Sequence, residues 1–469
     1  MIKFIARPGD ETALRLEARL RDLLDPDGEP LGVLAWGWPA DPGPGAILNG
    51  REGLENAGDS ERLREVLRLN GVRTTAQLAP SVARVRGYRV HLCDLEPVAV
   101  LKRMRRGGFR EVPAGSAADR VVRAARSALY STGLDFGAVD VVVPPKGSPA
   151  VHWVDPAPRL EAELLEAWAA ALRALMSRHI AIADARRRDC RPSPASPLLL
   201  GADPEFMLQD TVTRRMVAAS QFFPRHGSVG CDDRLLRRSP RPSFPLAEVR
   251  PRPHSCPDEV LRGIRAALRQ ALELAPYSNI KWLAGSMPFK GFPIGGHIHF
   301  GNLRPTTWLL RALDNHLALP LMLVEKTETA QQRRRRYGFL GDFRLQRHGF
   351  EYRTLSSWLV SPVVTRAVIS LARLIAMDGD LLRRRVLTPA EAQRAFYRGR
   401  KAFFRPLFSA LWTDLTSLPG YKECSEEIEP LRRLIGDHRQ WRERADIRRQ
   451  WKLPIPAAVW RPPAAAGGA

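Results

Sequence analysis

A chain of 469 residues is longer than one hydrophobic core usually serves, and its 44% hydrophobic content is that of an ordinary globular protein. The formal charge of +23 comes mostly from arginine spread along the chain, with RRR at 186–188 and 383–385 and RRRR at 333–336. No apolar run is long enough to span a bilayer, and no helix-turn-helix, zinc-finger or RRM signature accompanies the charge, so neither a membrane nor nucleic acid is the expected partner.

The first residues, MIKFIARPGDET, turn polar too early for a secretory signal. Cys93, Cys190, Cys231, Cys256 and Cys424 stand without CxxC spacing, which argues against a zinc cluster or a disulfide framework and makes a reducing cytoplasm the expected compartment. Residues 1–160 alternate strand-like runs (GVLAWGW, YRVHLCDL, AVDVVV, AVHWV) with helix-like ones (ETALRLEARLRDLL, SERLREVLRLNG, DRVVRAARSALYSTG), an α/β or α+β pattern. A long alanine- and leucine-rich helix is expected over 159–187, and the proline- and serine-rich CRPSPASP at 190–197 reads as a domain break. The expected division is a module over 1–190, a second domain over 197–450 and a disordered tail over 451–469.

Past the break come LLLGADPEFML, PLAEVRPRP and a helix predicted over 257–275. The segment GGHIHFG and a helix over about 305–328 follow, then GDFRLQRHGFEYRTLSSW and helices near 362–380, 389–415 and 425–448.

Four of these segments share one construction. On a strand, residues two apart face the same way. That pairs Asp203 with Glu205, Glu248 with Arg250 and Arg252, His297 with His299, and Glu351 with Arg353. Ala202, Pro204, Phe206, Ala247, Val249, Ile298, Phe300, Phe350, Tyr352 and Thr354 fall on the opposite face. If all four are strands of one sheet, one face carries only carboxylates, imidazoles and guanidiniums, and the other packs against helices. Neighbouring like charges repel unless a cation or phosphate offsets them, so this face reads as a functional floor rather than a solvated surface.

Carboxylates with arginines, and no evident serine or cysteine nucleophile, suit Mg²⁺ bridging phosphate oxygens, and hence ATP-dependent activation of a carboxylate. A zinc hydrolase built on the HxH pair is a rival, although it has less use for Arg250, Arg336, Arg344 and Arg353. A non-enzymatic binding or adaptor protein in which both modules have decayed is the second possibility, ahead of the zinc hydrolase. The glycines flanking HIHF lack side chains, which would let a nucleotide approach the strand.

The run GADPEF, PLAEVRPRP, GGHIHFG, RRYGFLGDFR and HGFEYRTLSSWLVSP resembles the phage-type COOH–NH2 ligase (amidoligase) type 2 family, in the glutamine synthetase/glutamate–cysteine ligase-like superfamily, over roughly 197–440. The resemblance implies an α+β fold, an antiparallel sheet with helices on one face and the active site on the other. It also implies ATP-dependent amide bond formation through an acyl phosphate, between small-molecule or peptide carboxylates and amines. Asp203, Glu205, Glu248, His297 and Glu351 would then hold Mg²⁺. His297, His299, Arg250 and Arg336 would face the nucleotide, and Arg344 and Arg353 would serve catalysis with Glu205 and Glu351. Only one arginine of 333–336 is expected to point inward; Ser356 and Ser357 would cap the next element, and Tyr337 and Trp358 would pack.

The N-terminal region, through VLAWGWP, AILNGREGLENAGDSERLREVLRLNGV, ARSALYSTGLDFGAVDVVV and AVHWVDPAPRLE, is similar to ATP-grasp proteins. Asp140 matches an acidic metal position, but Trp153 stands where a second carboxylate belongs, Asp155 replaces an asparagine, and Arg62 replaces a lysine. No glycine-rich phosphate loop is present, and residues 72–89 are too few for a central subdomain. The module therefore reads as a smaller, degenerate α/β ATP-grasp-like unit without catalysis of its own.

Overall fold

A computed structural model describes residues 2–24, 32–39, 46–78, 85–113, 115–187, 197–236 and 242–461. They form two compact units. The first comprises Met1–Ala195 with two short segments from later in the chain, Pro305–Ala312 and Arg383–Tyr397; the second takes the remainder. A single cut near 190–197 does not describe this division, and that stretch, save for Pro197, lies outside the described residues.

In the first unit, strands β1 (Ile2–Ala6), β2 (Gly32–Trp36) and β3 (Ala46–Leu48) make a small parallel sheet. Strands β4 (Arg86–Cys93), β5 (Glu96–Arg103), β6 (Phe109–Glu111), β7 (Phe136–Val143) and β8 (Ala150–Asp155) make an antiparallel one in the order β6-β5-β4-β7-β8. The valine-rich β7 places Val139, Val141 and Val143 in one core with Val90, Leu67 and Leu129, as β-branched residues on a pleated surface should. Trp36, Phe136 and Trp168 form a second core, with Trp36 stacked on Phe136 at 5.7 Å. The helix Glu11–Leu20 begins where the Asp10 carboxylate accepts from Ala13 N at 2.9 Å, and Ser116–Thr132 ends at Gly133 in the left-handed region (φ 95°).

The two later segments join this unit through a buried ionic knot. Asp135 is fully buried and accepts from Arg311, from Arg385 Nη1 at 3.1 Å, from Thr307 Oγ1 at 2.9 Å and from Asn49 N at 2.9 Å. Burial alone would raise its pKa; the two guanidiniums outweigh that and hold the carboxyl far below its usual range. Further along, Arg394 grips Glu65 at 2.6 and 2.7 Å, and Tyr397 donates to Asn70 at 2.5 Å.

The second unit is built on an antiparallel sheet. Its strands are β9 (Leu199–Asp210), β10 (Met216–Val217), β11 (Val229–Cys231), β12 (Leu246–Val249), β13 (Ile280–Leu283), β14 (Gly296–Gly301), β15 (Phe343–Gln346) and β16 (Gly349–Tyr352). The order is β11-β12-β9-β14-β16-β15, with β10 and β13 also pairing to β9. All four segments singled out in the sequence are thus adjacent strands. Phe206, Ile298, Phe300, Phe350 and Tyr352 are buried on one face, with Phe300 stacked on Phe350 at 5.0 Å. The helices Pro257–Leu274 and Pro362–Asp378 pack on this sheet and on each other.

The helix predicted over 305–328 is interrupted. It runs as Thr307–Leu313, a π-helical turn Asp314–Ala318 and Leu319–Val324, because Pro320 has no N–H to offer the preceding turn. The helix predicted over 389–415 breaks at Gly399 (φ 59°). The first half of the predicted tail is anchored: Trp451 is buried with its indole donating to Leu359 O at 2.9 Å, and Asn279 Nδ2 donates to Trp460 O at 2.9 Å. Residues 462–469 lie outside the described residues. Among the described residues, no helix is long and apolar enough to cross a membrane.

Removing one partner of a buried ion pair leaves an uncompensated charge, so Arg311→Ala should destabilise the first unit by roughly 3–5 kcal/mol. Urea unfolding of the full chain, followed by tryptophan fluorescence, measures this; an unchanged midpoint would show that the knot contributes nothing.

Candidate active site

Register places the charged side chains opposite one another. Glu248 on β12 faces Glu205 on β9, Asp203 faces His297 on β14, and His299 faces Glu351 on β16, which in turn faces Arg344 on β15. Period-two alternation on four neighbouring strands therefore builds the floor expected from the sequence.

At its centre the Asp203 carboxylate lies between two imidazoles. His297 Nδ1 is 3.0 Å from Oδ1, and His299 Nε2 is 3.1 Å from Oδ2. The first contact is close enough for charge but out of line for a hydrogen bond, which leaves buried Asp203 Oδ1 without a donor. His297 Nδ1 is also 3.3 Å from Glu351 Oε1. Burial would depress the His297 pKa, but Asp203, Glu205 and Glu351 outweigh it and raise it to about 9. Burial likewise pushes at the Asp203 carboxyl, yet the imidazoles hold it well below the usual carboxylate range.

Glu205 and Glu248 behave oppositely. Burial, reinforced by Asp232 and Glu248, pushes Glu205 up to about 8, although Gly295 N donates to its Oε2 at 2.6 Å. Burial and Asp203 push Glu248 to about 7 against the pull of Arg250.

The arginines divide in ways the sequence did not reveal. Arg353 Nε lies 3.2 Å from Glu351 Oε1, and Arg344 Nη1 lies 3.2 Å from Oε2, so both face the floor as expected. Arg250 Nη2 lies 2.6 Å from Glu248 Oε2, but its guanidinium also donates to the carbonyls of Arg225 at 3.2 Å and Cys231 at 3.1 Å, which makes it a brace of the floor's edge rather than a group free for a nucleotide. Arg336, expected at the phosphates, is exposed; at the end of the helix Thr327–Arg334 it is Arg333 and Arg334 that turn inward. Arg333 donates to the carbonyls of Ile294 at 2.7 Å, Thr354 at 2.9 Å and Leu355 at 2.5 Å, tying the entry of β14 to the exit of β16. Arg334 pairs with buried Glu325.

The glycines of GGHIHFG have a different use from the one expected. A Cβ on Gly295 would overlap the His297 ring, and one on Gly296 would overlap the Trp358 indole. The space is filled by the chain's own side chains: Trp358 Nε1 donates to Gly296 O at 2.9 Å. Ser357 Oγ donates to Glu205 O at 2.5 Å, so it pins the strand carrying Glu205.

Two floor residues escaped the sequence reading. Tyr337, expected to pack, has its hydroxyl 2.6 Å from His297 Nε2 and accepts from Arg353 Nη2 at 2.7 Å. Its ring is held between the guanidiniums of Arg333 at 5.2 Å and Arg353 at 5.3 Å. Asp232, from the loop after β11, joins Glu205 and Glu248. Both lie on loops, where alternation gives no signal; the RRRRYG context was the only cue for Tyr337.

Two groups of donors can converge on a cation: Asp203, His297 and Glu351, and Glu205, Asp232 and Glu248. Oxygen predominates and only one imidazole takes part, which suits Mg²⁺ better than zinc. His299 points its ring nitrogen at Asp203 and does not join His297 in either group.

In the first unit Asp140 has both oxygens committed to Arg89, at 2.8 Å each, and faces Trp153 across the β7–β8 ladder.

No curated protein matches the chain. Among solved structures, the ATP-grasp ligase PsnB complexed with precursor peptide PsnA2 and AMPPNP overlaps at TM-score 0.30 with 11% identity, covering 39% of this chain and 98% of its own. The D-alanine–D-alanine ligase from Bacillus anthracis complexed with ATP overlaps at 0.27 with 12% identity (40% and 97%). The macrocyclase MdnC from Microcystis aeruginosa bound with precursor peptide MdnA overlaps at 0.28 with 9% identity (38% and 100%). These likenesses fall on the N-terminal part of the chain and are too weak to bear on its chemistry. The family model described as phage phiEco32-like COOH–NH2 ligase type 2 matches residues 200–453, more than half of the chain and all of the floor. The chain belongs to that ligase family.

Proposed function

We propose that the protein is an ATP- and Mg²⁺-dependent ligase that joins a carboxylate to an amine through an acyl phosphate, with its active site on the β12-β9-β14-β16 floor. The observation that carries this reading is the set of two oxygen-rich donor groups beside Arg344 and Arg353 on one face of one sheet. The N-terminal module is read as non-catalytic, since the acid at its expected metal position is already paired with Arg89.

A carboxylate cannot be attacked usefully by an amine, because its oxygen is too poor a leaving group. Attack of a carboxylate oxygen on the γ-phosphorus, with departure of ADP, converts it to an acyl phosphate; the amine then adds to the carbonyl carbon, phosphate leaves, and the nitrogen gives up a proton. Mg²⁺ held by the two donor groups would neutralise the phosphate oxygens. Arg353, half-buried, and Arg344, exposed at the rim, are held by the two oxygens of Glu351 so that both guanidiniums address one place, where charge develops during transfer. Tyr337 fixes the His297 ring from its far nitrogen and so keeps Nδ1 toward the carboxylates. Glu205, whose carboxyl burial raises to about 8, would give up its proton as a cation enters the second donor group.

Glu205→Gln and His297→Ala should each lower substrate-dependent ADP release on the order of 10²–10³-fold with circular dichroism unchanged. Screening purified protein against amino acids and peptides, with mass spectrometry of products, provides the assay; full ADP release in both variants would sink the reading. Tyr337→Phe should weaken Mg²⁺ binding by about 10–100-fold, measured by calorimetry, because it removes the hydroxyl that orients His297 and accepts from Arg353.

The pH dependence has a definite sign. The raised His297 pKa contributes stability that is complete below about 6.5 and lost as pH rises through about 9, and the raised Glu205 pKa acts in the same direction as pH rises through about 8. In chelator the melting temperature should therefore fall between pH 6 and pH 9. Added Mg²⁺ should restore more at pH 9, where the carboxylates are free of protons. A flat profile with and without Mg²⁺ would contradict the assignment of these groups.

A further inference from the structure

The hairpin formed by β5 and β6 belongs to the first unit, and its sequence, LKRMRRGGFREV, is strongly basic. Lys102, Arg103, Arg105, Arg106 and Arg110 sit on it with no acid between Glu96 and Glu111. None of the five pairs with an acid among the described residues, and the four arginines are exposed. Met104 is 43% and Phe109 50% exposed. Gly107 and Gly108 turn the chain in the left-handed region (φ 90° and 73°).

The backbone adds a second observation. Met104 N donates to Gly108 O at 3.1 Å and Val112 N to Val100 O at 2.8 Å. In an antiparallel ladder the intervening residues alternate, so the N–H and C=O of Phe109 and Glu111 face away from β5. β6 is the last strand of its sheet, and among the described residues nothing pairs with that edge.

Charge on an edge strand commonly serves only to keep other strands away. Charge and the shortness of β6 would suffice for that, and neither calls for a half-exposed phenylalanine and methionine among the arginines. Exposed Arg, Met and Phe are instead what protein-binding surfaces concentrate. We infer that the free edge of β6 is a docking site for an extended acidic peptide, which adds a strand along Phe109–Glu111 while the carboxylates on one of its faces meet Lys102 and Arg110, opposed to each other across the β5–β6 ladder. A nucleic acid would use the same cations but gain nothing from the free backbone edge. This surface stands independently of the ligase chemistry assigned to the floor.

The test uses the full chain and a fluorescein-labelled peptide of alternating glutamate and valine, followed by anisotropy. The wild type should bind it, and Lys102→Glu with Arg110→Glu should weaken binding by more than about tenfold, as loss of charged hydrogen bonds implies. Arg110 is exposed and Lys102 partly so, and neither pairs with an acid among the described residues, so unchanged circular dichroism and melting are expected and verify folding. The same peptide N-methylated at every residue keeps its charge but has no backbone N–H on either edge with which to pair, and it should not bind. Equal binding of the N-methylated peptide would overturn strand addition, and binding unaffected by the double variant would overturn the site. Tighter binding of a single-stranded oligonucleotide of equal charge, lost in the same variant, would overturn the identity of the partner.

Discussion

Four carboxylates, Asp203, Glu205, Glu248 and Glu351, share one face of adjacent strands, whose spacing is about 4.8 Å. Two like charges that close cost about 3 kcal/mol at an effective dielectric near 20, and the repulsion grows as the site is buried. The sheet relieves it in two ways. Imidazoles and guanidiniums are interleaved with the acids, so that Asp203 lies between His297 and His299 and Glu351 between Arg344 and Arg353. Glu205 and Glu248, with less cationic help, have their carboxyls raised toward neutrality and can carry the balance as protons. A cation entering this floor would displace protons and free the arginines, which links metal affinity, pH and the availability of positive charge for phosphate.

Such a floor demands a stiff backing, because each acid is tolerated only in register with its partner. Arg333 supplies part of it by spending its buried guanidinium on three carbonyls of the strands around GGHIHFG. Ser357 and Trp358 hold Glu205 and Gly296 from the exit of β16, and the stacked Phe300 and Phe350 fill the opposite face. Side chains locked by such contacts lose little freedom when substrate arrives, which is how a site holds transition-state geometry.

The first unit treats its acids differently. Asp135 and Asp140 are each matched with arginine inside the unit, and the matching of Asp135 draws in Arg311 and Arg385 from distant parts of the chain. A carboxylate already satisfied by guanidinium has little to offer a metal. The β5–β6 hairpin of the same unit carries cations that pair with no acid among the described residues.

Alternation is a local property: the pleat alone assigns residues two apart to the same face, so the pairing of Asp203 with Glu205, His297 with His299 and Glu351 with Arg353 was legible from their spacing. The apolar partners on the other face made the helix-backed sheet legible as well. Contacts between residues far apart in the chain carry no such periodic trace. Only the folded chain turns Arg333 inward and leaves Arg336 in solvent, brings Tyr337 and Asp232 from loops onto the floor, and gives Gly295 and Gly296 to the chain's own histidine and tryptophan. It also lends Pro305–Ala312 and Arg383–Tyr397 to the first unit, because a buried carboxylate at 135 needs guanidiniums that no neighbour in sequence supplies.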